Sequence, residues 1–199
     1  MMRAILFSDI HGSIKSINRI IRESRTADVM LSCGDITNFE AGLEGILRRL
    51  DSAGIPVFIV PGNHESPQKV ERICSLLKNV KSVHKRALSY KNLLIIGYGS
   101  GGFSSREKEF KKAAEEFSRI IRKNPEKKVV MLTHAPPHGT RLDLLDGRHV
   151  GSRDISDFIR KNKVDLLVCG HLHENSGIIE ERGRTTILNP GKFMKIKIN

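Results

Sequence analysis

An α/β fold with a mixed sheet is predicted from three features of the 199-residue chain. Short apolar runs alternate with stretches of helical periodicity through the first half of the sequence. The last segment carries strand patterns without helices between them, so the sheet cannot be purely parallel. The length suits one domain over residues 1–199, and no repeat, linker or low-complexity segment divides it.

In order, Arg3–Phe7 reads as a buried strand, and Ser13 caps a helix whose apolar face is Ile14, Ile17, Ile20 and Ile21. Asp28–Cys33 is a second strand. Leu43, Ile46, Leu47 and Leu50 mark a second helix stopped by Gly54, and Val57–Val60 a third strand. Pro67 suits the first turn of a third helix, striped by Val70, Ile73, Leu76 and Leu77. Val80–His84, Ala87–Tyr90 and Leu93–Gly97 are short strands, followed by a glycine-rich loop at Gly97–Gly102. A longer helix turns Phe110, Ala113, Ala114, Phe117, Ile120 and Ile121 inward. Lys128–Thr133 and Asp165–Cys169 are buried strands, separated by an irregular stretch and a helix near Asp154–Lys161. Ile178–Glu181, Thr185–Leu188 and Phe193–Ile198 read as a strand meander about the Arg182-Gly183-Arg184 turn.

Apolar residues at 39% and charged residues at 28% exclude collagen-like, disordered and membrane-spanning chains. The apolar start is too short for a signal-peptide core, and no stretch reaches the ~18 residues of a membrane span. Cys33, Cys74 and Cys169 are odd in number and far apart, against both a disulfide framework and a thiolate zinc site. A cytoplasmic, reducing setting is the expectation. The net charge of +12 is spread along the chain and aromatics are only 5%, so a solvated surface is favoured over nucleic-acid binding.

Side chains that bind metals collect just after the strand runs. Asp9 and His11 follow the first strand, Asp35 and Asn38 the second, and Asn63 and His64 the third. His134 ends Lys128–Thr133, and His171 and His173 follow Asp165–Cys169. Each has an ordinary alternative: Asp9 and Asp35 as helix caps, Asn63 as a turn residue, a lone histidine as a satisfied core group. Together they obey one placement rule, since the carboxyl ends of strands are where open α/β sheets build sites. Carboxylate, imidazole and amide oxygen suit divalent manganese, iron, cobalt, nickel or zinc, and argue against all-oxygen calcium. The set exceeds what one ion needs, so two ions sharing an aspartate is the economical assignment. Such a pair clamps the oxygens of an in-line displacement and lowers the pKa of bound water, which is equipment for phosphate-ester hydrolysis.

Asp9-Ile10-His11, Gly34-Asp35-Ile36-Thr37-Asn38, Gly62-Asn63-His64-Glu65, Thr133-His134 and Gly170-His171-Leu172-His173 resemble, in order, the five blocks of the calcineurin-like metallophosphoesterases. The resemblance implies a sandwich of two mixed β-sheets flanked by helices. It implies that Asp9, His11 and His173 hold one metal, that Asn63, His134 and His171 hold the other, and that Asp35 bridges them. His64 would face substrate as proton donor or charge stabiliser, with Asn38 close behind. Thr133–Gly139 and the Asn189-Pro190-Gly191 turn are similar to small Icc-related and cyclic-nucleotide phosphodiesterase members.

His138, Arg141, Arg148, His149 and Ser152 either line a substrate pocket or form an exposed polar loop; the residues leave both open. Gly97–Gly102 either admits substrate or serves as a turn. Cys33 and Cys169 read as small buried residues. Glu65 and Glu174 are candidates to orient ligand histidines, with helix capping the alternative for Glu65. The leading reading is a dinuclear-metal phosphodiesterase for a small diester, a cyclic nucleotide among the candidates. A phosphomonoesterase, a nuclease supported by charge alone, and a metal-dependent interaction module are the alternatives. Oligomeric state is not legible.

Overall fold

The computed structural model describes residues 1–102 and 104–198. The first half alternates strand and helix: β1 (Met2–Phe7), α1 (Ile14–Ser24), β2 (Val29–Ser32), α2 (Leu43–Asp51), β3 (Val57–Ile59), α3 (Pro67–Ser75) and β4 (Val80–Ser82). Then come β5 (Arg86–Tyr90), β6 (Leu93–Tyr98), α4 (Lys108–Lys123) and β7 (Lys128–Thr133). A two-residue hairpin, β8 (Leu144–Leu145) and β9 (Arg148–His149), precedes α5 (Arg153–Lys161) and β10 (Leu166–Val168). The chain closes with β11 (Ile179–Arg182), β12 (Thr185–Leu188) and β13 (Met194–Ile198).

These strands form two mixed sheets, ordered β13-β1-β2-β3-β4 and β11-β12-β10-β7-β6-β5. Parallel pairing runs through β1–β4 and through β6, β7, β10 and β12, while β13, β5 and β11 pair antiparallel at the edges. The expected sandwich is therefore present, with helices on both outer faces.

Strand periodicity sorts the apolar runs into three cores. In β1, Ile5 and Phe7 face the helix layer, where they join Ile17, Ile20, Leu47 and Leu50. Ala4 and Leu6 face the other way and meet Ile95, Val130, Leu132 and Val168 of the second sheet. The second sheet's outer face packs Ile96, Val129 and Leu167 against Phe117 of α4 and Ile155 and Phe158 of α5. Both faces of each sheet are covered, which is why these strands read as continuous apolar runs.

Four details differ from the sequence expectations. Ile14 is 53% exposed because it opens α1 at the edge of the sheet, and Leu76 is 72% exposed because α3 ends at Ser75. Cys74 takes the place expected for Leu76 in the buried stripe. The strand expected over Leu93–Gly97 runs on to Tyr98, so Gly97 is strand, paired with Arg86, and the loop starts later than Gly97. The last three strands are not one meander. β11 and β12 form a hairpin, but β13 crosses to the other sheet beside β1. The Asn189-Pro190-Gly191 turn redirects the chain: Asn189 Oδ1 accepts from Gly191 N at 2.9 Å, and Gly191 O accepts from Ser8 N at 2.8 Å. Lys195 and Lys197 are exposed on β13, charges that guard an edge strand against further pairing.

Candidate metal centre

The parallel strands β1, β2, β3, β7 and β10 deliver their following loops to one edge. Neither Asp9 nor Asp35 is a helix cap: Ser13 caps α1, accepting from Ser16 N, and α2 begins after Gly42 without a side-chain cap. Glu65 is not a cap either, since Ser66 fills that role for α3. Asp9, His11, Asp35 and His171 all have left-handed backbones, with φ of 54°, 44°, 50° and 71°. That conformation costs a non-glycine residue on the order of 1–3 kcal/mol and persists only where the surroundings impose it.

Here the surroundings are loop-to-loop hydrogen bonds. Asp9 N donates to Gly34 O and His11 N to Asp35 O, both at 3.0 Å. Asn38 Nδ2 donates to His11 O at 3.2 Å. Glu65 is 4% exposed, and its carboxylate accepts from Asp35 N (2.9 Å), Gly62 N (3.0 Å), Thr37 N (2.9 Å) and Thr37 Oγ1 (2.7 Å). It therefore fastens the loop after β2 to the loop after β3, holding backbone rather than a histidine. The loops also approach too closely for side chains: a Cβ on Gly62 would lie 2.0 Å from Asp35 Oδ1, and one on Gly170 2.5 Å from Asp9 Oδ2.

The side chains converge. His134 Nε2 lies 2.9 Å from Asn63 Oδ1 and 3.5 Å from Asp35 Oδ2. His11 Nε2 lies 3.1 Å from His173 Nε2 and 4.0 Å from Asp35 Oδ2. His173 Nε2 is 3.4 Å from Asp9 Oδ1, and His64 Nε2 is 3.8 Å from Asp35 Oδ2. His171 N donates to both Asp9 carboxylate oxygens, and its ring stands edge-on to His134, centroids 5.0 Å apart. Burial and the neighbouring His134 pull the His171 pKa down to about 4, keeping the imidazole neutral as a metal ligand must be.

These residues fit divalent ions. Three groups have ligand atoms within 4.8 Å of one another: Asp9, His11 and His173; His11, Asp35 and His64; Asp9, Asp35 and His134. Asp9 and Asp35 are each shared by two of them. Both carboxylates are almost wholly buried, and among the described residues their ion pairs are to imidazoles alone. Two buried negative charges without a permanent cation are costly. His134 Nδ1 bonds to Cys33 O at 2.8 Å, so it carries the proton and leaves Nε2 bare in the neutral ring. Nε2 then faces two further acceptors, Asn63 Oδ1 and Asp35 Oδ2, an apposition that a cation between them satisfies. His11 Nδ1 is buried without a hydrogen-bond partner among the described residues. Two nitrogens at 2.0–2.1 Å from one tetrahedral ion sit about 3.3–3.4 Å apart, a separation that the 3.1 Å between His11 and His173 approaches.

The family comparison agrees with this geometry. The family model for calcineurin-like phosphoesterases (Metallophos) matches residues 2–175. The chain belongs to that family. Calcineurin-like phosphoesterases act on phosphate esters and normally bind two divalent metals, for which this chain has an Asp/His cluster. Among curated relatives, the uncharacterized protein MJ1162 of Methanocaldococcus jannaschii is 29% identical over 95% of this chain and 88% of its own. A probable glycerophosphodiester phosphodiesterase of Arcobacter nitrofigilis is 26% identical over 84% of this chain, which spans 65% of that relative. A crystal structure of a dimetal phosphatase from Danio rerio shares the fold, with a TM-score of 0.73 at 12% identity, over 98% of this chain and 91% of that one.

The irregular stretch after His134 behaves differently. Among the described residues His138 and His149 enter none of the three metal-capable groups; nor does His171, which joins the centre through its backbone N–H to Asp9 and its ring against His134. His149 Nδ1 bonds to buried Asp143 Oδ1 at 2.7 Å, and its ring stands 5.6 Å from that of His138. His138 lines a cavity of about 480 Å³ with Arg160, Arg182 and Arg184. Ser152 caps α5 by accepting from Ile155 N. Cys33 and Cys169 are fully buried, and burial pushes both thiols well above their usual range, so they stay protonated. Gly102 faces the ring of His171, where an added Cβ would lie 3.1 Å from Cε1.

Sequence reasoning assigned Glu65 the wrong kind of task and passed over Thr37 and Phe39. The Gly-Asp-x-Thr spacing placed Thr37 near the centre, but nothing in the sequence shows that its hydroxyl meets Glu65. No helix among the described residues is long and apolar enough to cross a membrane.

Proposed function

We propose that the protein hydrolyses a small phosphodiester at a two-metal centre. Asp9, His11 and His173 hold one ion, Asn63, His134 and His171 the other, and Asp35 lies between them. The gathering of ligand atoms about Asp35 carries this reading: His134 Nε2, itself against Asn63 Oδ1, at 3.5 Å and His11 Nε2 at 4.0 Å from Asp35 Oδ2. When bound, the ions supply a nucleophilic water at neutral pH and offset charge on the phosphoryl oxygens.

The chain's own residues supply a hydrogen-bond donor and the positioning. Phe39 N donates to His64 Nδ1 at 3.3 Å, so the neutral ring carries its hydrogen on Nε2. That atom faces Asp35 and the centre, and donates a hydrogen bond that offsets charge on the departing oxygen, which takes its proton from water. Asn38 holds the backbone of His11 and acts as a positioning residue.

Two observations support a diester. The relative from Arcobacter nitrofigilis is named for a phosphodiester substrate. The centre is open, with His173 56% exposed at its side chain, leaving room for substituents on both sides of phosphorus. The test is a metal-screened assay with manganese, iron, cobalt, nickel and zinc on aryl mono- and diesters that share one leaving group. Diester kcat/KM should exceed monoester kcat/KM at least about tenfold, or about 1.4 kcal/mol. The opposite order makes the protein a monoesterase. A rate equal to the metal-free control with every metal rejects the hydrolase reading, and cleavage of a tightly bound polynucleotide would favour a nuclease.

A further inference from the structure

We infer that Phe39 sets substrate preference by stacking on a planar aromatic group attached to the departing oxygen; this rests on the phosphoesterase reading above. Phe39 is 81% exposed, so it does not serve the core. Its φ is +47°, a conformation that a bulky residue adopts only under constraint. The constraint comes from the loop around it. Phe39 N bonds to His64 Nδ1, Asn38 Nδ2 to His11 O, Ala41 N to Asn38 O at 3.0 Å, and Glu40 N to Thr37 Oγ1 at 3.2 Å.

The result is an aromatic ring fixed at the rim of the centre. Its centroid is 4.3 Å from that of His64, with the planes tilted 46°. His64 in turn stands 4.9 Å from His11, so Phe39 packs on the ring that borders the metal ligands. In the phosphoesterase reading His64 Nε2 faces the departing oxygen, and a group carried on that oxygen can reach the exposed Phe39 ring packed on the same imidazole. A flat ring carried there can stack on the exposed face of Phe39. Aromatic rings stack in offset geometry, and nucleobases do so with little dependence on sequence. The matching ligand is an ester whose departing group bears a flat ring, either a simple aryl or a nucleobase.

The competing account is that Phe39 only buttresses His64. Steady-state kinetics of the metal-loaded enzyme separate the two, using esters that differ only in an aryl, nucleosidyl or alkyl departing group, each as monoester and methyl diester. Phe39→Ala should lower the aryl-to-alkyl ratio of kcat/KM about 5–10-fold, mainly through KM. Phe39→Tyr should restore the ratio, and Phe39→Leu should not. A larger effect on nucleosidyl esters identifies the ring as a nucleobase; a larger effect on phenyl esters identifies a simple aryl group. Equal loss on all substrates, or rescue by Leu, overturns the stacking role. Phe39→Gly, which relieves the left-handed backbone, should raise the melting temperature while losing the preference; a fall would show that the ring packs structurally. If only monoesters turn over, the diester reading fails, and the aryl-to-alkyl ratio is still read on the monoester pair.

Discussion

Replacing Glu65 with glutamine tests whether the centre is assembled by one buried carboxylate. The change keeps size and shape but converts one acceptor oxygen into a donor NH2. One oxygen faces Asp35 N and Gly62 N, the other Thr37 N and Thr37 Oγ1, so an NH2 turned towards Asp35 and Gly62 meets two backbone donors, while one turned towards Thr37 meets a single backbone donor and a hydroxyl that can rotate to accept. Hydrogen bonds to a charged group contribute roughly 1.5–3 kcal/mol each, so the less costly orientation, which loses one, still costs about 1.5–3 kcal/mol. A domain is stable by only about 5–15 kcal/mol, so this is a substantial share. At roughly 2–4 °C per kcal/mol for a chain of this size, the melting temperature should fall by about 3–12 °C. The measurement is thermal and urea unfolding of the metal-free protein in chelator, followed by calorimetric titration with manganese or zinc. Metal affinity should drop about 10–100-fold, because the backbone of Asp35 is held less firmly. Thr37→Val, which removes one neutral donor from the same carboxylate, should show a smaller loss of the same kind. A Glu65→Gln protein that melts within about 2 °C of wild type, at this loss per kcal/mol, and binds metal normally would refute the argument.

Purified protein should take up two divalent transition ions per chain, measured by elemental analysis after loading; saturation at one ion would reject the paired centre. Asp35→Ala should lower metal occupancy and activity together, whereas His64→Ala should retain metal and lose about 10²–10⁴-fold in turnover, less for good leaving groups. A metal-replete, fully active His64→Ala enzyme would remove His64 from the chemistry. His84 provides a pH test away from the metal ligands. Burial, then the adjacent Lys85, lower its pKa to about 4, and its Nδ1 accepts from Gly99 N at 3.1 Å. Between about pH 6.5 and 4 the unfolded chain binds this proton and the folded one does not, so its contribution is full above 6.5 and lost as pH falls towards 4. The loss is on the order of 3 kcal/mol. In chelator, the difference in unfolding free energy between wild type and His84→Gln should shrink across that window; parallel curves would show that His84 does not titrate as described.

What the sequence determined by itself is local. The apolar runs, the cap Ser13, Pro67 at a helix start, and the position of each metal-binding side chain just past a strand were legible, because periodicity, capping and strand ends are set by neighbours in the chain. The order of the blocks also sufficed to point to the family. Tertiary structure decided the rest, because it depends on which segments meet. Ile5 and Leu6 are equally apolar, and only sheet pairing sends one to the helix layer and the other between the sheets. β13 reads like β12's neighbour until the turn at Gly191 carries it to β1. His138 and His149 carry the same side chain as the metal-capable histidines, yet His149 is drawn to buried Asp143 and stays outside their groups. Glu65 offers the sharpest case: a glutamate at a helix start looks like a cap, but three of its four partners come from the loop after β2 and one from its own loop, three of the four being backbone N–H groups. Every residue but proline has such a donor, so sequence carries no mark of which ones a buried carboxylate will find.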